Sequence, residues 1–149
     1  MVRISRLTDY GIVLLCYIAK EPETTFTASE LAERSRLPLP TVAKILKSLC
    51  RGGLLRSQRG VHGGYALARA PEDVSIADVL ETLEGPVALT DCSVECACDI
   101  ERTCPVRTNW RRINSVVLEA LEGLKLSEMT QPLPAPKRRE ARLYRLARR

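Results

Sequence analysis

The sequence of 149 residues predicts a mainly α-helical fold, a winged helix-turn-helix with a small β-hairpin wing and a long C-terminal helix. Two short amphipathic segments joined by a tight turn come before a glycine-rich stretch with strand-like flanks. Aromatic residues make up only 4% of the chain, so the core must consist mainly of Leu, Val, Ile and Ala. Further along, apolar residues recur at alternating spacings of three and four, which is typical of a helix that contacts another helix.

The first helix is predicted over residues 7–19, a run that is apolar on nearly every side after a polar start. The Glu-Pro-Glu sequence of residues 21–23 ends it. A capping box then begins a second helix, because Thr27 can accept from the backbone N–H of Glu30 while the Glu30 carboxylate reaches back. This second helix is predicted over about residues 28–34.

A third helix is predicted to begin near Leu39 and Pro40, since proline is tolerated in the first turn of a helix. Its apolar residues follow a helical period and predict one buried stripe: Val42, Ile45, Leu46 and Leu49. The opposite face has the short polar and cationic side chains that a helix needs in the major groove of DNA. We expect DNA contacts from this face and from the helix before it: Ser29, Thr41, Lys44, Lys47, Ser48 and Arg51. A merely solvated surface is the alternative.

A two-stranded hairpin is predicted over residues 54–59 and 65–68, around a glycine-rich tip. Arg59 and His62 flank glycines at this tip, and glycines let a backbone approach a phosphate or enter the minor groove. We therefore add both residues to the expected DNA contacts. His62 is the one histidine in the chain, and no set of nucleophile, base and acid accompanies it, so we do not expect an enzyme.

The second half contains a short helix predicted over residues 75–84 and a long helix over residues 107–128, about 33 Å long. Apolar residues at spacings of three and four form a seam along the long helix: Trp110, Ile113, Val117, Ala120 and Leu124. The simplest partner for this seam is the same helix of a second subunit, so we expect a homodimer.

The predicted elements divide the chain into four parts. These are a winged helix-turn-helix DNA-binding domain (1–86), a cysteine-rich loop (87–106), a dimerisation helix (107–130) and a basic tail expected to be disordered without a partner (131–149). Lys and Arg outnumber Asp and Glu by 11 to 5 over residues 1–70 and by 7 to 1 over residues 137–149. Over residues 71–136, Asp and Glu outnumber Lys and Arg by 12 to 5. A polyanion would therefore meet the first half and the tail.

The cellular location is expected to be the cytoplasm. The chain has no apolar stretch of the ~18 residues that a membrane-spanning helix needs, and its first residues lack the features of a signal peptide. We expect neither a membrane nor a small-molecule substrate as a partner. In a reducing compartment, six cysteines favour metal binding or redox chemistry over a disulfide framework.

Four cysteines lie within 13 positions of the polar loop: Cys92, Cys96, Cys98 and Cys104. A zinc ribbon would show two Cys-x2-Cys knuckles, so structural zinc is the second choice. Thiolates are the usual ligands of iron-sulfur clusters, and a loop can wrap three of them around one face of a cluster. The other two cysteines, Cys16 and Cys50, lie in apolar helical segments, where we expect them to act as small buried hydrophobic residues.

On these residues the sequence resembles the Rrf-type winged-helix iron-sulfur regulators, the family that includes IscR and NsrR. The resemblance covers about residues 1–130, and its most specific parts are residues 57–67 of the wing and the triplet of Cys92, Cys98 and Cys104. It implies a homodimer joined by its long helices, double-stranded DNA with a palindromic operator, and a 2Fe-2S or 4Fe-4S cluster that controls DNA binding. It also implies that Arg59 enters the minor groove.

Two positions depart from that family. Relatives with a 2Fe-2S cluster have a histidine three residues after the last cysteine, where this sequence has Arg107, which cannot ligate iron. Some relatives place a base-reading glutamate at the position of Ala43, so their operator specificity does not carry over.

The fourth metal ligand is expected to be Asp9 or Cys96. Asp9 matches the position from which a nitric-oxide-sensing relative offers an aspartate of the partner subunit. Thiolate softness favours Cys96. The short spacing between Cys96 and Cys98, with no glycine between them, favours Asp9.

The expected function is an iron-sulfur-sensing repressor or activator, with cluster-assembly genes such as a Suf operon as targets implied by the resemblance alone. A nitric-oxide-sensing repressor of the same family is one alternative. A zinc- or thiol-based winged-helix regulator without iron is another. An iron-sulfur carrier with an incidental basic helix is the third.

Overall fold

The computed structural model describes residues 4–60, 63–90 and 103–132. The helices are α1 (Arg6–Lys20), α2 (Ala28–Ser35), α3 (Leu39–Arg51), α4 (Ile76–Glu84), α5 (Arg107–Gly123) and α6 (Leu126–Met129), and a 3₁₀ turn covers Pro71–Asp73. Two antiparallel strands, β1 (Leu55–Gln58) and β2 (Gly64–Leu67), form the hairpin after α3. The mainly helical fold class with a small hairpin is therefore confirmed. Within the described ranges, no helix has the length and apolar character needed to cross a bilayer.

The capping box predicted for α2 is present. The backbone N–H of Thr27 donates to the Glu30 carboxylate at 2.7 Å, and the Glu30 N–H donates to the Thr27 hydroxyl at 3.2 Å. The hydrogen bond from the Thr27 backbone lowers the pKa of Glu30. Ser75 and Asp78 form a second capping box at the start of α4. Both helices thus begin where local side-chain chemistry satisfies their free N–H groups.

The core lies between α1, α2, α3 and α4. The predicted stripe of α3 is fully buried, with Val42, Ile45, Leu46 and Leu49 all at 0% exposure. It packs in one cluster with apolar residues of the other helices: Leu14, Leu15 and Ile18 of α1, Leu31 of α2 and Val79 of α4. Burial of this stripe fixes the rotation of α3, so its other side faces outward.

The wing is braced by a third stretch of chain. Strand β1 pairs with β2 from Leu55–Leu67 to Gln58–Gly64, and Phe26 and Tyr65 exchange backbone hydrogen bonds of 2.9 and 2.7 Å. At the tip, Gly60 has a φ of 122°, and a Cβ on Gly63 would collide with the Gln58 carbonyl. The turn of the hairpin therefore requires glycine at these positions, whether or not DNA is present.

The long C-terminal helix is shorter than the sequence predicted. Helix α5 ends at Gly123, so it is about 26 Å long, and the prediction of a continuous helix to residue 128 is wrong. The Ile76 N–H donates to the Leu124 carbonyl and the Leu126 N–H donates to the Val74 carbonyl, both at 2.9 Å. Leu126 is fully buried. The chain leaves the helix at Leu124 and Lys125, where it pairs with residues 74–76, and the short helix α6 then begins at the buried Leu126. Leu124 of the predicted seam lies outside α5.

Candidate DNA-binding surface and cysteine site

The outward side of α3 is cationic. Lys44, Lys47 and Arg51 are exposed, whereas Thr41 and Ser48 are half-buried. The Arg51 guanidinium donates to the Ser48 hydroxyl at 3.3 Å. Helix α3 contains no acidic residue, so its positive charges have no counter-charge on the same helix. Such a surface has the positive potential that attracts a phosphate backbone.

Helix α2 and the wing flank this surface. Ser29 is exposed in the first turn of α2. Arg59 is exposed at the end of the wing, while His62 lies outside the described residues. Strand β1 follows α3 after a short link, in which the Leu54 N–H donates to the Leu49 carbonyl at 3.0 Å. This link holds the root of the wing against the C-terminal end of α3.

The structure describes one of the four loop cysteines. Cys104 is half-buried just before α5, and its carbonyl accepts from the Arg107 N–H at 3.4 Å. The other three, Cys92, Cys96 and Cys98, lie outside the described residues. Among the residues that are described, no group of three His, Cys, Asp or Glu side chains could hold a metal ion. A half-buried thiol at this place is a suitable ligand for iron, because thiolates are the usual donors to iron-sulfur clusters.

Cys16 and Cys50 have the surroundings expected of structural cysteines. Both are half-buried and pack against the core. The Cys16 thiol lies 3.9 Å from the Met129 carbonyl of α6. Burial raises the pKa of both thiols, which disfavours the reactive thiolate.

Asp9 is exposed in the first turn of α1, next to a polar network that the sequence did not predict. The Ser5 N–H donates to the Glu84 carboxylate at 2.8 Å, and Thr8 is fully buried beside it. Hydrogen bonds from the Thr8 side chain and from the Ser5 backbone lower the pKa of Glu84. The end of α4 is thus joined to the beginning of α1, the helix that carries Asp9.

Asn114 of α5 makes a second interaction that the sequence did not predict. Its side-chain amide donates to the Val87 carbonyl at 3.2 Å, and its side-chain oxygen accepts from the Leu89 N–H at 2.9 Å. The available signal was an asparagine among the apolar neighbours Ile113 and Val117 of an amphipathic helix. Periodicity does not say which backbone such a side chain meets.

Helix α5 leaves an apolar face uncovered. It has no fully buried residue, and Trp110, Ile113 and Val116 are 39%, 44% and 59% exposed. A surface groove of about 440 Å³ runs along this face, lined by Asn109, Arg112, Ile113, Val116 and Val117. Val116 was not part of the predicted seam. Exposed apolar surface of this kind is typical of interaction sites.

Comparison with known proteins gives one consistent result. Residues 4–132 match the family model Rrf2, described as an iron-dependent transcriptional regulator. An Rrf2-like HTH-type transcriptional regulator of Rhodobacter capsulatus is 30% identical over 136 residues, covering 85% of this chain and 91% of that protein. CymR, the global cysteine regulator of B. subtilis, is similar in structure, with a TM-score of 0.72 at 27% identity over 87% of this chain and 97% of that one. IscR of T. potens has a TM-score of 0.64 at 26% identity, covering 86% and 85%.

Proposed function

Because the chain belongs to the Rrf2 family of transcriptional regulators, we propose that it binds operator DNA as a homodimer under the control of an iron-sulfur cluster. The cluster is held by Cys92, Cys98 and Cys104. The observation that carries this proposal is the place of Cys104, a half-buried thiol directly before the helix whose apolar face is uncovered. A ligand bound there adjoins both the loop and the proposed dimer interface.

DNA binding is assigned to α3 and the wing. In this arrangement the exposed face of α3 enters the major groove, with Lys44, Lys47 and Arg51 on phosphates or base edges and Thr41 and Ser48 within reach of the same groove. Arg59 enters the adjacent minor groove, where its charge is attracted by the negative potential. Ser29 and His62 complete the proposed DNA-binding residues at the edges of the interface.

Dimerisation is assigned to α5. A second copy of the helix covers Trp110, Ile113 and Val116, which removes their apolar surface from water. The two α3 helices then meet two half-sites related by the same two-fold axis, so the operator is palindromic.

When bound, the cluster supplies a charged group that responds to oxygen, to nitric oxide and to the supply of iron and sulfide. The chain provides three thiolates and one weaker ligand, for which we propose Asp9 of the partner subunit. A carboxylate is a weaker ligand for iron than a thiolate, and an easily displaced ligand suits a sensor. Arg107, at the position of the histidine ligand of 2Fe-2S relatives, cannot ligate iron and is not a candidate. Because Asp9 is exposed, its release from the cluster would change the dimer interface rather than the core of either subunit.

The cysteine assignment is tested by the visible absorption of protein purified without oxygen. We expect thiolate-to-iron absorption in the wild type and none after Cys92→Ala, Cys98→Ala or Cys104→Ala. Cys16→Ala and Cys50→Ala are matched controls that keep the absorption, because both thiols belong to the packing of the core. A colourless wild-type protein that contains stoichiometric zinc would contradict the proposal.

The fourth ligand is tested by a second pair of variants. We expect Cys96→Ala to keep its cluster, and Asp9→Ala to lose it faster in air and to bind less tightly to a DNA site selected from random duplexes. The opposite result, a colourless Cys96→Ala with an unchanged Asp9→Ala, would make the site all-cysteine and remove the partner subunit from it.

A thiol-responsive or zinc-containing regulator without iron is the second candidate, and the similarity to CymR favours it. This candidate predicts a colourless protein whose DNA affinity changes when its thiols are oxidised or alkylated. The iron-sulfur proposal predicts instead that removal of the cluster changes the affinity while the thiols stay reduced. Cluster-assembly genes as targets follow from the resemblance to iron-sulfur regulators, and selection of bound promoter fragments tests them.

A further inference from the structure

Residues 85–90 connect α4 to the cysteine segment and are at most half-buried. Gly85 ends α4 with a φ of 92°, and none of residues 85–90 is fully buried. Pro86 and Val87 line two cavities, of about 310 and 280 Å³. Because apolar packing around this stretch is incomplete, polar contacts contribute to its position.

Asn114 holds the same stretch by both of its side-chain polar groups. It donates to the Val87 carbonyl and accepts from the Leu89 N–H, so that it binds two residues of the same segment. Two hydrogen bonds from one planar amide fix both the position and the direction of the segment. Only two residues, Thr90 and Asp91, separate Leu89 from Cys92.

Both ends of the cysteine segment are consequently attached to one helix. The far end is Cys104, whose carbonyl accepts from the first residue of α5, Arg107. Asn114 lies seven residues further along α5, about 10 Å away along the helix axis. Cys92, Cys96 and Cys98 lie between these two attachments, and Cys104 lies at the second.

We infer that Asn114 is a positioning residue for the cysteine site: it anchors Val87 and Leu89 to α5 and so fixes where the segment with Cys92, Cys96 and Cys98 begins. This inference deepens the proposed function, and its consequence for the cluster rests on that proposal. Without the anchor, Val87 and Leu89 are no longer held against α5. A cluster bound by the thiols would then be lost faster although each of its ligands is still present.

The test compares two substitutions of Asn114 with a neighbouring control. Asn114→Leu keeps the size of the side chain and removes both hydrogen bonds. Asn114→Asp keeps an acceptor for the Leu89 N–H and removes the donor to the Val87 carbonyl. Ser115→Ala is the control, because the Ser115 hydroxyl donates within α5 to the Arg111 carbonyl at 3.1 Å.

Two readouts are taken from each variant. In cluster-free protein, we expect the Leu89 amide to exchange its hydrogen about fivefold faster in Asn114→Leu, the effect of removing one hydrogen bond. In cluster-loaded protein, we expect the lifetime of the visible absorption in air to fall by a similar factor. In both measurements Asn114→Asp is intermediate and Ser115→Ala equals the wild type, while the melting temperatures of all variants stay close together.

If the Leu89 amide of Asn114→Leu exchanges as fast as in the wild type, Asn114 does not anchor the segment. If the cluster of Asn114→Leu lasts as long in air as that of the wild type, the anchor does not position the cysteine site. Should the leucine variant fail to fold, the same comparison is made with Asn114→Asp. A colourless wild-type protein contradicts the proposed function and removes the cluster consequence. Hydrogen exchange at Leu89 in that protein still decides whether Asn114 anchors the segment.

Discussion

Helices α3 and α5 are both amphipathic, but they bury their apolar faces differently. The stripe of α3 is enclosed at 0% exposure by other helices of the same chain. Helix α5 packs on α4 along one side and leaves Trp110, Ile113 and Val116 exposed on another. The winged-helix half is therefore complete within one chain, whereas α5 needs a second surface. We therefore expect association with a second copy to involve α5.

The largest effect is expected in the enclosed half. Leu46→Ala removes a fully buried side chain from the stripe of α3 and should lower the free energy of unfolding by about 3 kcal/mol. Urea denaturation measures it. The control is Leu39→Ala on the same helix, where the side chain is 46% exposed and the change should stay within about 0.5 kcal/mol. Equal effects at the two positions would mean that α3 is not oriented as described.

The second expectation concerns the uncovered face. Ile113→Asp places a charge in the proposed dimer interface and should weaken association by about 2 kcal/mol, a roughly 30-fold rise in the dissociation constant. Sedimentation measures the dissociation, and the unfolding of the monomer should change little because Ile113 is 44% exposed. Ser115→Asp on the same helix serves as the control. If Ile113→Asp stays dimeric, the second copy binds elsewhere.

A smaller effect is expected on DNA binding. Lys44→Ala and Arg59→Ala should each weaken DNA binding about fivefold and reduce the slope of log affinity against log salt by roughly 1, because each variant neutralises one phosphate fewer. A mobility shift at several salt concentrations gives both quantities. Lys20→Ala removes an exposed charge at the end of α1, outside α3 and the wing, and should leave the slope unchanged. Equal slopes in all three variants would place the DNA on a different surface.

The smallest effect is expected at the polar contact between the start of α1 and the end of α4. Hydrogen bonds from Thr8 and Ser5 lower the pKa of Glu84, so its ionised carboxylate stabilises the fold at pH values above the pKa that Glu84 has in the unfolded chain. This contribution is lost as the pH falls through the lowered pKa. Glu84→Gln should therefore cost about 0.5 kcal/mol at pH 7, given the exposure of the group. Thermal unfolding should show the difference from the wild type shrinking as the pH is lowered below about 4. The exposed Glu81→Gln is the control, and a difference that persists at low pH would contradict the role of the charge.

Local signals predicted the enclosed half well. The capping box of Thr27 and Glu30 marked the start of α2, and the helical spacing from Val42 to Leu49 predicted the buried stripe. Both signals depend on residues that are neighbours along the chain. The end of α5 depends instead on distant residues, because Leu124 and Leu126 pair with Val74 and Ile76, about 50 positions earlier.

The candidate site divides in the same way. The cationic face of α3 could be predicted from the helical spacing of its apolar residues. The hydrogen bond from Asn114 to the Val87 carbonyl could not, because it joins residues 27 positions apart. The same is true of Ser5 and Glu84, which are 79 positions apart. No local pattern encodes such pairs. The DNA-contacting residues and the cluster ligands stay predictions, and Cys92, Cys96, Cys98 and His62 lie outside the described residues.

After Gly123 the chain returns to the start of α4, so the C-terminal end of α5 is fixed to another helix. Its far end is fixed to the start of α4 through Leu124 and Leu126, while its near end carries Cys104. Because the far end is bonded to the start of α4, a displacement of α5 along its axis or a rotation about that axis also displaces Val74 and Ile76. A shift at the end of α5 beside Cys104 would thus be felt at the other end of a helix about 26 Å long, and there it would act on α4, which packs against α3.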